Sequence, residues 1–160
     1  MRLAILLTFL FVACAGPAPQ PTPITSPPSQ CQDMSHVYSP DRLQILASCV
    51  TLTGTVEFVR HEADGDTHVG LKPDGTDPNG GNWVNSCNAT CLNGAEHGYL
   101  VVEEVCEFSV TQTDAVAACV GYVNPSPVPT VGEHVSVTGP WVLDKDHGWQ
   151  EIHPATIVSS

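Results

Sequence analysis

Trp149, Glu151 and His153 have the residue types and the spacing for proton transfer, metal ligation or ligand recognition. On an extended strand, residues two apart share one face, so these three lie together while Ile152 points the other way. The Glu151 carboxylate can then orient the His153 imidazole, with Asp144 or His147 close by in sequence. Pro154 reinforces this by biasing His153 towards extended backbone. The same acid–histidine couple can equally complete a structural hydrogen-bond network at a sheet edge. The sequence holds neither a Gly-x-Ser-x-Gly elbow nor a His-Glu-x-x-His motif. The chain therefore reads as a non-catalytic binding or accessory module. A metal-dependent hydrolase using Glu151 and His153 is the alternative, and a purely structural envelope protein is the third reading.

A second set of candidate ligands is Asp64-Gly65-Asp66-Thr67. It resembles the Asp-Gly-Asp-Thr turn of staphylococcal-type nucleases, which are OB-folds that use such an aspartate for calcium. The resemblance ends there, because Gly70 to Pro78 supplies neither the arginine-bearing strand nor the Asp-x-Pro-Glu segment of those enzymes. Glu62, Asp64 and Asp66 also have the alternating carboxylate spacing that opens a calcium loop, and Asp74, Asp77 and Asn79 cluster further on. An EF-hand would need glycine at 67 and glutamate at 73, where this chain has Thr67 and Pro73. No resident cofactor is expected, and calcium at these turns is the alternative. Trp83, Trp141 and Trp149 offer aromatic faces for stacking a ligand; in a small β domain such residues more often pack the core.

The cysteines point to an exported protein. Seven is an odd number, and losing Cys14 to lipid attachment or signal cleavage leaves six: Cys31, Cys49, Cys87, Cys91, Cys106 and Cys119. These can form three disulfides in an oxidising compartment, with fifteen possible connectivities. The sequential pairing, Cys31–Cys49, Cys87–Cys91 and Cys106–Cys119, is the expected one. A zinc site at Cys87, Cys91 and His97 is the competing use of the middle pair.

Residues 1–13 read as a lipoprotein signal peptide. Arg2 supplies the positive charge, and Leu3 to Val12 is an apolar run much shorter than the roughly 20 residues needed to span a bilayer. Phe11-Val12-Ala13-Cys14 resembles a bacterial lipobox, which makes Cys14 the lipidation site; Ala13-Cys14-Ala15 as an ordinary cleavage site would give a secreted protein instead. Residues 14–30 then form a tether, with six prolines between Gly16 and Gln30. In extended polyproline geometry this stretch reaches roughly 45 Å. The expected location is the extracytoplasmic cell envelope, attached to the membrane through lipid.

Residues 31–160 make one domain, large enough for its own core. Without Arg2, four basic residues face seventeen acidic ones, a formal charge of −13. Such a domain repels a polyanion, so nucleic acid is not an expected partner, whereas a protein or small-molecule ligand fits the charge.

The elements that must position these residues are mainly strands. Val50, Leu52, Gly54, Val56 and Phe58 alternate with Thr51, Thr53, Thr55 and Glu57, predicting a half-buried strand. Asp64-Gly65 turns the chain into a second strand over 67–72 with Val69 and Leu71 inward. A third strand is expected at 99–105, a short helix from Thr113 to Gly121, a fourth strand at 133–143 and a fifth at 149–158. Ser39-Pro40 has the form of a helix start. Strand, strand, strand, helix, strand, strand is the order of a five-stranded OB-like Greek-key barrel.

Cys49-Val-Thr-Leu-Thr-Gly-Thr-Val56, Glu62-Ala-Asp-Gly-Asp66 and the ending His147-Gly-Trp-Gln-Glu-Ile-His-Pro154 together resemble a group of uncharacterised bacterial extracytoplasmic proteins. The similarity runs over most of 33–158, and its HGWxEIHP ending is the most specific element. It implies an OB-like barrel and brings no activity with it.

Overall fold

The computed structural model describes residues 31, 33–85 and 98–159. Cys14, the signal segment, the tether, Cys87, Cys91 and His97 lie outside the described residues. Alternating β-branched residues produce six strands: β1 Leu43–His61, β2 Thr67–Pro73, β3 Leu100–Glu104, β4 His134–Asp144, β5 Trp149–Ile152 and β6 Thr156–Ser159. β1 pairs with β2 and β4, β2 with β3, β3 with β5, and β5 with β4. Five strands thus close a ring in the OB-like order, and β6 adds to β4 outside it. Every ring pairing is antiparallel except β3 with β5, where Val101 sits beside Glu151 and Val102 beside Ile152.

The ring closes because β1 bends. Its nineteen residues pair with β4 from Leu43 to Thr55 and with β2 from Gly54 to His61, so Gly54 and Thr55 serve both neighbours. Register shifts at 45–50 and at 56–58 supply the bend, as bulges do. Gly54 sits where a Cβ would lie 2.5 Å from the Lys72 carbonyl oxygen, so only glycine lets the strands cross this closely. The second shift also corrects the expected alternation. After Val56 the inward position passes to Val59, which packs on the core, and Phe58 instead lays its ring over Gly70.

The main core fills the inside of the ring with Leu52, Val56, Val69, Leu71, Leu100, Val102, Val135, Val137, Ile152 and Ile157. Each such buried side chain is worth about 1.5–3 kcal/mol of transfer free energy. Trp83 and Trp141 belong to this core, edge to face at 5.2 Å. Trp141 Nε1 donates to Gln150 Oε1. They are packing residues.

A second, smaller core lies on the opposite face of the strands. Val37, Leu43, Val105, Cys106 and Val142 join Met34, Cys119 and Tyr122, so the segment before β1 and the loop after β3 cover that face. Two of the expected disulfides staple these covers: Cys31–Cys49 ties the N-terminal segment to β1, and Cys106–Cys119 closes the loop after β3.

Three local expectations change. The helix from Thr113 to Gly121 is a single 3-10 turn, Val116–Cys119, without a side-chain cap; bridging Cys119 back to Cys106 keeps this segment on the surface of the second core, too short for a helix to propagate. Ser39 precedes a 3-10 turn, Pro40–Arg42, in left-handed backbone and makes no capping bond. The expected fifth strand is two strands, β5 and β6. Pro154 has no N–H to continue the ladder, and Ala155 N–H turns to the Glu103 carbonyl at 2.8 Å.

Candidate functional site

The parallel pairing of β3 with β5 is what assembles the site. With Val101 beside Glu151, Glu103 falls beside His153 on the face opposite the main core. Antiparallel pairing puts His68 of β2 opposite Glu103, and Asp144 of β4 opposite Trp149. The face therefore gathers His68, Glu103, Asp144, Trp149, Glu151 and His153, and Arg42 reaches it from the covering segment.

The contacts form a continuous chain. His68 Nε2 lies 2.6 Å from Glu103 Oε1, and His153 Nδ1 lies 2.9 Å from Glu103 Oε2. The same Nδ1 is 3.0 Å from Glu151 Oε2, while Glu151 Oε1 accepts the Trp149 indole N–H. Arg42 Nε donates to Asp144 Oδ2 at 2.7 Å, and Arg42 Nη2 stands 3.8 Å from Glu103. His147 Nδ1 meets Asp144 Oδ2 at 2.8 Å and stacks its ring on Trp149 at 4.4 Å. Glu103, Glu151, Asp144 and His153 are all 0% exposed.

Burial and charge compete at each group. Burial works against a charged His153, but Glu103 and Glu151 outweigh it and hold the imidazole at about 10. His68 is likewise penalised by burial and raised by Glu103, to about 9. Glu103 feels the opposite balance: burial pushes it up, and the two imidazoles pull it well below the usual carboxylate range. Glu151 is raised by burial and by the neighbouring Glu103 charge. Asp144 is disfavoured by burial, yet its bonds from His147 and Arg42 bring it down to about 2.

Asp66 joins this centre from the β1–β2 turn. The turn forms as expected, with Gly65 at φ 96° and Asp64 Oδ1 accepting the Asp66 N–H. Asp66 itself turns inward and is 2% exposed. Its Oδ1 accepts the Cys106 N–H at 2.8 Å, and burial together with Asp64 raises the carboxyl to about 7.

Of the sequence candidates, Asp66, Trp149, Glu151 and His153 come together. Asp64 stays in the turn, half-buried. Glu62 engages Arg60. In the second acidic segment, Asp74 takes the Thr53 hydroxyl and His134, and Asp77 Oδ1 accepts the Asn79 and Gly81 amides. These carboxylates are thus already engaged, Asp77 within its own turn and Asp74 with β1 and β4. Glu103, His68 and Arg42 escaped sequence reasoning. Alternation around Val69 and Val102 places His68 and Glu103 off the core face, but no local signal says that the two faces meet.

Among the described residues, the centre of the network is closed off from solvent. A groove of about 540 Å³ lies beside the Cys106–Cys119 bridge, lined by Phe108, Val110, Val116, Val120 and Val123, and it contains no member of the buried network. No family model, curated protein or solved structure matches this chain.

Proposed function

We propose that the protein is an exported, lipid-anchored component of the bacterial cell envelope whose domain is a non-catalytic binding or accessory module. The observation that carries the non-catalytic part is the complete burial of Glu151 and His153. A catalytic acid or base must reach the reacting group directly or through one water. A couple sealed between a sheet and its covering segment instead fixes that segment in place. The export part rests on the N-terminal sequence, and two disulfides in a small domain suit an oxidising compartment.

Two measurements test the reading. Purified protein, screened with ester, phosphoester and glycoside substrates in the presence of divalent metals, is expected to show no turnover. Turnover that disappears in a folded Glu151→Gln variant would overturn it. Labelled fatty acid is expected to enter the wild-type chain and not a Cys14→Ala variant; equal incorporation in both refutes the anchor.

A further inference from the structure

Among the described residues, buried side-chain atoms of Asp66, Glu103, Glu104, Glu107 and His153 lack a hydrogen-bond partner, ion pairs apart, and Asp66, Glu103 and His153 lie together. Asp66 Oδ2 and His153 Nε2 have no hydrogen-bond partner, although their residues are 2% and 0% exposed. An unpaired buried polar atom is unfavourable because it has lost its water without gaining a partner, so each calls for a partner. One donor atom from each of Asp66, Glu103 and His153 lies within 4.8 Å of the other two. The three residues come from the β1–β2 turn, β3 and the end of β5, and the ring brings them to one point.

We infer that Asp66, Glu103 and His153 form a buried site for one divalent transition-metal ion of the zinc type, taken up as the domain folds.

The surroundings are built as such sites are built. Metal-bound histidines almost always donate their second ring N–H to a carboxylate, which fixes the tautomer and the ring. Here His153 Nδ1 is held by Glu151, and Glu151 is held in turn by the Trp149 indole, which leaves Nε2 for the ion. Asp66 has the same division of labour: the Cys106 amide occupies Oδ1, and Oδ2 stays available. Charge points the same way. Asp66, Glu103, Glu151 and Asp144 are buried carboxylates, and Arg42, a permanent cation, meets Asp144 and Glu103 among them. A dication that takes the place of the His153 Nε2 proton adds to the positive charge that His68 and Arg42 already set against these carboxylates. One imidazole nitrogen with carboxylate oxygens suits zinc and its neighbours; calcium takes 6–8 oxygens, more than this set offers. Since the ligands are closed off from solvent, the ion is structural, and its binding is coupled to folding.

The test uses the full chain with its disulfides intact and any affinity tag removed. The protein is unfolded in denaturant with a chelator, freed of both, and refolded with or without equimolar zinc chloride. One zinc per chain and a higher melting temperature are expected after refolding with metal. Asp66→Asn keeps the acceptor for the Cys106 amide, so it is expected to fold and to weaken zinc at least tenfold in a chelator competition. Glu151→Gln, which loosens the ring, is expected to weaken zinc about 10–100-fold. Nitrogen NMR of histidine-labelled wild type needs no variant: the His153 Nε2 resonance should move on adding zinc. Wild type that retains no zinc and melts unchanged overturns the proposal. So does zinc held equally by wild type and folded Asp66→Asn, which would place the ion on exposed groups such as His134 and Asp74. A His153 Nε2 resonance unmoved by stoichiometric zinc does the same. None of these outcomes depends on lipid attachment or on the absence of turnover, so this inference and the functional proposal fail separately.

Discussion

Replacing Asp144 with asparagine isolates the ion pair that fastens the covering segment to the sheet. Asp144 Oδ2 accepts Arg42 Nε at 2.7 Å and His147 Nδ1 at 2.8 Å, and its side chain is 0% exposed. Asparagine keeps an oxygen for the Asp146 and His147 turn amides, which lie at 2.8 and 3.1 Å from Oδ1. It removes the negative charge, leaving Arg42, itself 10% exposed, without its nearest anion. Two independent routes give the size. A folded value of about 2 against an ordinary 3.8 corresponds to about 2 kcal/mol of stabilisation at neutral pH. Breaking a buried pair by removing one partner costs roughly 3–5 kcal/mol. Asp144→Asn should therefore lose about 2–4 kcal/mol in urea unfolding at pH 7. The sign of the pH dependence follows from a folded value below the unfolded one. The contribution is complete above about pH 4 and disappears as pH falls through about 2. Wild-type and variant stabilities should converge there, since a protonated aspartate closely resembles asparagine, while the other titrating groups are common to both proteins. A difference below about 1 kcal/mol at pH 7, or one that persists unchanged to pH 2, refutes this account.

Two further substitutions probe packing and burial. A Cβ at Gly139 would stand 2.4 Å from the Pro154 carbonyl oxygen, so Gly139→Ala must push apart β4 and the chain after β5; a loss of about 1–3 kcal/mol is expected in thermal unfolding. Glu104 is fully buried, and desolvation with the nearby Glu107 raises it to about 8. A raised acid favours the fold only while protonated, so its stability is intact below about pH 4.5 and lost as pH rises through about 8. Glu104→Gln should accordingly stabilise the domain by about 4 kcal/mol at pH 8 and by little at pH 4, measured by denaturant titration at both.

The amino-acid sequence by itself determined what is local. Alternation of β-branched and polar residues marks the strands, Asp64-Gly65 marks the turn, and the spacing of two joins Trp149, Glu151 and His153 on one face. Each follows from backbone geometry within a few residues, whereas the sequential pairing of Cys106 with Cys119 is one of fifteen connectivities that the sequence leaves open. Where neighbouring strands intervened, that local reading slipped. The register shift at 56–58 moved Val59 into the core in place of Phe58, because β1 must bend to serve two partners. What the tertiary structure alone decided is the buried centre. Glu103 meets His153 only because β3 and β5, some fifty residues apart, run parallel side by side. Arg42 and Asp66 arrive from two further segments. Periodicity assigns each of these residues a face and carries no record of which faces meet or what covers them. That burial turns an apparent acid–histidine couple into a sealed ionic network, and it leaves Asp66 and His153 each with an atom that still needs a partner.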